Sequence, residues 1–75
     1  MTYEDAVRDI PPGTYRHYKG NLYEVLGIAR HSETEEVMVV YRALYGKKEL
    51  WVRPASMWTE RVEKGGVSMA RFSKE

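Results

Sequence analysis

The sequence contains no cysteine, one phenylalanine and three prolines in 75 residues, and its formal net charge is only +1. Without cysteine the chain has no disulfide, no thiolate metal ligand and no cysteine nucleophile. A net charge near zero gives no overall attraction to nucleic acid or to anionic lipid. No apolar run approaches the roughly 18 residues that cross a bilayer, and the polar N-terminus lacks a signal-peptide pattern. We therefore expect a cytoplasmic protein with no membrane association.

Aromatic residues are abundant instead. Six tyrosines, two tryptophans and the single phenylalanine make up 12% of the chain, in a composition that is 43% hydrophobic and 31% charged. These values are typical of one small globular domain. The charges are uneven along the chain, because residues 32–36 carry three glutamates and no base, whereas residues 37–53 carry four bases and one acid. This distribution predicts separate acidic and basic patches.

Residues 1–12 predict a short helix that two prolines end. Thr2 and Asp5 have the spacing of a capping box, with Asp in place of the usual Glu or Gln. An apolar stripe at helical spacing consists of Tyr3, Ala6, Val7 and Ile10. Pro11-Pro12 then stops the helix.

Residues 13–75 predict a single β domain of five to six short strands. The clearest strand is Glu36–Tyr45. Its expected core-facing positions alternate as Val37, Val39, Tyr41, Ala43 and Tyr45. Gly20-Asn21 predicts a two-residue hairpin turn, which would place His17 opposite Glu24. Closely spaced turns between short strands favour a small β-barrel or a strongly bent sheet.

Two of the predicted strands, Leu22–Arg30 and Glu36–Tyr45, are apolar on both faces, whereas a half-solvated strand carries polar residues on one face. In Leu22–Arg30 one face carries Tyr23, Val25 and Ala29, and the other carries Leu22, Leu26 and Ile28. Three explanations are open: a bend that buries opposite faces at opposite ends, cover by the N-terminal helix, or a homodimer.

Five distinctive motifs lie along the β region. The strings are GTYRHYKGNLY at 13–23, ARHSET at 29–34, VYRALYG at 40–46, LWVRP at 50–54 and MW at 57–58. On these motifs residues 13–72 resemble the bacterial Domain of Unknown Function 1653 family. The resemblance implies an SH3-like β-barrel and carries no established activity, cofactor or catalytic residue. The expected fold is therefore mainly β, a small SH3-like β-barrel of five to six strands with a short N-terminal helix.

No group of residues favours catalysis or metal binding. His17 and His31 lack the ligand spacing of a zinc site. Ser32 directly follows His31, and the side chains of adjacent residues on a strand point to opposite faces. The Ser–His hydrogen bond that would activate the serine as a nucleophile is therefore not favoured. Glu33 and Glu35 lie in a polar turn, where solvated carboxylates are poorly suited to general acid catalysis. We expect a protein that is not an enzyme and holds no metal and no cofactor.

The best functional candidate is a groove of aromatic and basic residues. Trp51 alternates with Leu50 and Val52, which predicts that Trp51 and Arg53 face away from the core. The predicted ligand-binding residues are Tyr18, Tyr23, Trp51, Arg53, His17, Lys19 and Arg42, with Trp58 as a further wall. A protein or peptide is the expected partner, and RNA or single-stranded DNA, helped by Lys47 and Lys48, is the alternative. An opposing interpretation is that these aromatic residues form the core of so small a domain.

A second alternative is small-molecule sensing by the polar segment between the two longest strands. It comprises His31, Ser32, Glu33 and Thr34. Its histidine changes charge near neutral pH. The simpler interpretation is a turn in which Ser32 and Thr34 bond to the backbone while Glu33 is solvated.

Overall fold

A computed structural model describes all 75 residues, of which the largest part is β-strand. The mainly β fold expected from the sequence is confirmed, with seven strands rather than five to six. The elements in chain order are α1 (Tyr3–Asp9), β1 (Gly13–His17), β2 (Leu22–Arg30), β3 (Val37–Ala43), β4 (Leu50–Pro54), α2 (Ala55–Trp58), β5 (Arg61–Lys64), β6 (Val67–Ala70) and β7 (Phe72–Lys74). Neither helix is long enough to cross a membrane.

Five strands form one antiparallel sheet in the order β4-β3-β2-β1-β7, and β5 and β6 form a separate hairpin. The two outer strands, β4 and β7, do not pair with each other, so the sheet is open and does not close into a barrel. The SH3-like barrel that the family resemblance implies stays a prediction. A bend at Arg71 divides the C-terminal segment of residues 67–74 into β6 and β7. The part before the bend pairs with β5, and the part after it pairs with β1.

The N-terminal helix begins with the predicted capping box. The Asp5 amide donates to the Thr2 hydroxyl at 3.0 Å, and the Thr2 amide donates to the Asp5 carboxylate at 3.4 Å. These bonds satisfy amides that the first helical turn leaves free. Ala6 and Ile10 are fully buried in the core, whereas Val7 is 49% exposed, so the predicted apolar stripe is correct except at Val7.

A β-bulge explains why β2 is apolar on both faces. Val25 lies opposite Tyr41 and Gly27 opposite Val40, so Leu26 is an extra residue with no partner on β3. Because side chains alternate along a strand, one extra residue exchanges the faces. Before the bulge Tyr23 and Val25 face the core, and after it Ile28 packs against the core.

The first hairpin has a different register from the predicted one. Tyr15 lies opposite Tyr23 and Thr14 opposite Glu24, so the expected pairing of His17 with Glu24 is wrong. Four residues, Tyr18 to Asn21, separate the two strands. The His17 amide donates to the Asn21 carbonyl at 2.9 Å, and the His17 carbonyl accepts from the Gly20 amide at 2.7 Å. The His17 Nδ1 also accepts from the Lys19 amide at 3.2 Å. The Gly20 φ of 109° accommodates this wider turn.

Trp58 lies at the centre of the core. It is 3% exposed and stacks on Phe72 with ring centroids 3.7 Å apart and planes 4° apart. The edges of Tyr15 and Tyr41 approach it at 5.6 and 5.1 Å. The short helix α2 therefore fills the core side of the large sheet, and the prediction that Trp58 lines a groove is wrong.

Candidate aromatic binding face

Trp51 and Arg53 lie on the core side of the large sheet, contrary to the prediction that they face away from it. Trp51 is paired with Tyr41 and Arg53 with Val39, and directly paired residues share a face of the sheet. Trp51 is nevertheless 54% exposed, because β4 is an edge strand and the buried core does not extend as far as its side chain. Its neighbours Leu50 and Val52 point to the opposite face and are also exposed.

An open pocket of about 370 Å³ lies beside Trp51. Its nine lining residues are Tyr23, Tyr41, Ala43, Tyr45, Gly46, Lys47, Lys48, Glu49 and Trp51. Tyr45 was expected in the core but is 47% exposed, because β3 ends at Ala43 and the chain turns away. Gly46 and Lys48 adopt φ values of 60° and 55° in this turn, which places the two lysines at the pocket rim.

Aromatic rings continue from the pocket towards β1. Tyr23 contacts both Tyr41 and Tyr45 edge-on at 5.6 Å, and it lies 5.8 Å from Phe72. His17 follows at 4.9 Å from Phe72 and 6.3 Å from Tyr23. We call the surface formed by Trp51, Tyr45, Tyr23 and His17 the aromatic face.

Cationic side chains border this face at its β1 and β4 ends. The Arg53 guanidinium lies 5.6 Å from the Phe72 ring centroid, and Lys19 approaches the Tyr18 ring at 5.8 Å. Tyr18 is itself packed against His17 at 4.5 Å. Partial burial, followed by the nearby charges of Arg53, Arg71 and Lys19, lowers the pKa of His17 below its usual value. Burial and the positive surroundings thus both disfavour the protonated imidazolium.

Six of the seven predicted ligand-binding residues meet at or beside the aromatic face, and Arg42 does not. Arg42 lies opposite Glu24 and Leu50, on the other side of the sheet. Its guanidinium donates to the Lys48 carbonyl at 2.9 Å and so supports the turn that forms the pocket rim. Alternation along the strand did not predict Tyr45 as a surface residue. The available signal was Gly46 directly after it, which marks a turn into which the chain has already passed at Leu44 and Tyr45.

Comparisons with known proteins agree with this fold. The model of a family described as protein of unknown function, DUF1653, matches residues 13–74. The chain belongs to the DUF1653 family. A crystal structure of a DUF1653 protein from Bordetella bronchiseptica is 42% identical in sequence, with a TM-score of 0.84 over 92% of this chain and 91% of that chain. No curated protein matches the chain.

The structural match also reaches beyond the family motifs. The match to the B. bronchiseptica protein covers 92% of this chain, which is more than residues 13–75 alone make up. The similarity therefore extends into the N-terminal segment that contains α1. In this DUF1653 protein the helix contributes buried Ala6 and Ile10 to the same core as the sheet.

The polar segment 31–34 lies at the other end of the β2–β3 hairpin from the pocket. Its groups are used within the turn, since His31 Nδ1 accepts from the amides of Glu33 at 3.1 Å and Thr34 at 3.3 Å. The Thr34 hydroxyl accepts from the Glu36 amide at 3.2 Å. The expected side-chain-to-backbone bonds are present, with His31 taking the role predicted for Ser32.

The hydroxyls of Tyr23 and Tyr45 lie 2.9 Å apart and share a hydrogen bond inside the pocket. Burial first, and then this bond, raise the pKa of Tyr23 to about 12. The unfolded phenol ionises near pH 10, so between pH 10 and 12 the folded state is progressively destabilised as pH rises.

We expect Tyr45→Phe to lower the pKa of Tyr23 while leaving it above 10, because the bond is lost but burial remains. A tyrosine ¹³Cζ NMR titration measures this directly. Tyr18→Phe is the matched control, since Tyr18 makes no bond to Tyr23, and it should leave the Tyr23 pKa unchanged. An unchanged Tyr23 pKa in the Tyr45→Phe protein would show that the two hydroxyls do not interact.

Proposed function

We propose that this DUF1653 protein is a non-catalytic binding module that holds a protein or peptide segment on the aromatic face. The observation that carries the proposal is the pocket between Tyr23, Tyr45 and Trp51, in which large aromatic side chains remain open to solvent. A cytoplasmic location, expected from the sequence, stays a prediction.

The chemistry of the pocket suits a peptide side chain. Tyrosine and tryptophan provide large contact areas with little conformational entropy to lose, and with arginine they dominate the binding energy of protein interfaces. The volume of about 370 Å³ lies at the lower end of the usual range for ligand sites, roughly 300–1,000 Å³. It therefore accommodates one or two side chains rather than a folded surface. The hydrogen bond between Tyr23 and Tyr45 holds two of its walls in place.

Single-stranded RNA or DNA is the second candidate, supported by Lys47 and Lys48 at the rim of the same pocket. Bases stack on exposed aromatic rings in a manner tolerant of sequence. The same rim also carries Glu49, which repels phosphate. For this reason we favour a peptide. The two candidates differ in salt dependence, because each phosphate contact to a single strand lowers the logarithm of affinity by about 0.7 per unit of log salt.

We expect peptides selected from a displayed random library against the wild-type protein to lose at least about tenfold in affinity for Trp51→Ala. Tyr45→Ala should weaken binding in the same direction. Val67→Ala is the matched control, because Val67 is 58% exposed on β6, outside the aromatic face. Anisotropy titrations of a labelled selected peptide measure all three.

The outcomes separate the candidates. Peptides that bind Trp51→Ala, Tyr45→Ala and wild type equally would contradict the proposed site. A labelled single-stranded homo-oligonucleotide that binds more tightly than any selected peptide, with an affinity that falls steeply with salt, would favour nucleic acid instead.

A further inference from the structure

β4 presents an open, apolar edge. The strand pairs with β3 on one side and has no strand on its other side. Leu50, Trp51 and Val52 are 56%, 54% and 59% exposed, so three consecutive hydrophobic side chains stand beside unpaired backbone. Proteins usually protect such edges with charge, a bulge or a covering segment. Here the apolar run has none of these along its length.

The charges at the two ends of this run are opposite, and neither has an ion-pair partner. Glu49 directly precedes the strand and Arg53 lies near its end; neither side chain forms a hydrogen bond, and the Arg53 guanidinium lies over the Phe72 ring. The Nε of Arg53 is buried without an acceptor. Four residues of extended chain span about 13 Å, so these two charges cannot pair within one strand.

We propose that β4 pairs with β4 of a second copy of the chain, antiparallel, about a two-fold axis at Trp51. In this register Leu50 lies opposite Val52 of the partner subunit, and Glu49 lies opposite the partner's Arg53. Because the axis is two-fold, the Glu49–Arg53 pair forms twice. The segment Glu49–Arg53 is thus complementary to itself, with a negative end, an apolar centre and a positive end.

Other registers lose this complementarity. With the axis at Leu50, Glu49 lies opposite the partner's Trp51, and with the axis at Val52, Arg53 lies opposite the partner's Trp51. A parallel arrangement brings like charges together, which is unfavourable. Only the axis at Trp51 matches both charges and pairs the exposed apolar residues with one another.

The dimer also bears on the pocket. A two-fold axis perpendicular to the sheet keeps the core-side faces of both copies on one side. The two Trp51 side chains then lie next to each other, and the pockets of the two copies adjoin. The proposal itself depends on β4 alone and not on the proposed function.

Sedimentation velocity over a wide range of protein concentration tests the pairing. We expect a concentration-dependent species of about twice the 8.8 kDa of one chain. Glu49→Arg and Arg53→Glu should each weaken self-association at least about tenfold, since each places like charges opposite each other twice. The control is Glu63→Arg, an exposed charge on β5, which should self-associate as the wild type does.

The decisive sample is a mixture of the two charge-reversed chains. Each Glu49→Arg chain is complementary to an Arg53→Glu chain, so the mixture should recover a dimer that neither variant forms alone. Because Arg53 also covers Phe72, circular dichroism must show that Arg53→Glu is folded. If Arg53→Glu is not folded, the test compares Glu49→Arg with Glu49→Gln. Glu49→Arg, which reverses the charge, should weaken self-association more than Glu49→Gln, which only removes it. A monomeric mass at every concentration, or a dimer that Glu49→Arg does not weaken, would overturn the proposal.

Discussion

Replacing Trp58 by alanine is expected to lower the free energy of unfolding by about 3–5 kcal/mol. The indole is 3% exposed, stacks on Phe72 and is contacted edge-on by Tyr15 and Tyr41. Its removal leaves a cavity that the surrounding rings cannot fill without leaving the positions set by three different strands. A domain of this length has a total stability of roughly 4–11 kcal/mol. The variant should therefore unfold at a clearly lower urea concentration than the wild type, and at the lower end of this range it is partly unfolded even without urea.

The matched control is the other tryptophan. Trp51→Ala removes an identical side chain from an exposed edge position, so its free energy of unfolding should change by no more than about 0.5 kcal/mol. Urea unfolding followed by far-ultraviolet circular dichroism compares the two, at a protein concentration low enough to keep the chain monomeric. Similar losses in both variants would show that Trp51 belongs to the core, and the aromatic face would then have no exposed anchor.

Replacing Ile10 by alanine is expected to cost about 2–5 kcal/mol. Ile10 is 1% exposed and lies in the core cluster with Val25 and Val39, although it stands outside the β domain predicted from the sequence. Val7→Ala on the same helix is the control, because Val7 is 49% exposed and alanine has the higher helix propensity. Its stability should stay the same or rise slightly.

Thermal and urea unfolding of the Ile10 and Val7 variants test whether α1 is part of the folding unit. The structure also predicts that a chain of residues 13–75 alone is less stable than the full chain, since it lacks both Ala6 and Ile10. Equal stability of the Ile10→Ala and Val7→Ala proteins would contradict the packing of α1 into the core.

Local features of this fold could be read from the sequence. The capping box of Thr2 and Asp5 and the alternation of Val39, Tyr41 and Ala43 depend on residues close together in the chain, and the structure confirms them. The register of the first hairpin could not be read in the same way. Gly20-Asn21 is a signal for a two-residue turn, but the loop is longer, with the Lys19 amide donating to the His17 imidazole and the Gly20 amide donating to the His17 carbonyl.

The sequence predicted most of the residues of the candidate site, but not where the fold places them. Phe72 lies beside His17 because β7 pairs with β1, and its ring is also contacted by Tyr23 and Arg53. Trp51 reaches the same side of the sheet through the pairing of β4 with β3. No local pattern indicates the long-range pairing of β7 with β1. Alternation alone also assigned Trp51 to the wrong face, since on an edge strand both faces are exposed and the rule that apolar residues point inwards does not hold.

The most direct test of the aromatic face as a binding surface is an NMR titration of the ¹⁵N-labelled protein with a selected peptide. We expect the largest shifts at the Trp51 indole N–H and at the amides of Tyr23, Tyr45 and Lys47, which line one pocket. The amides of residues 31–34 should not move. Shifts confined to that segment or to the β5–β6 hairpin, with the Trp51 signals unchanged, would contradict the aromatic face as the binding surface.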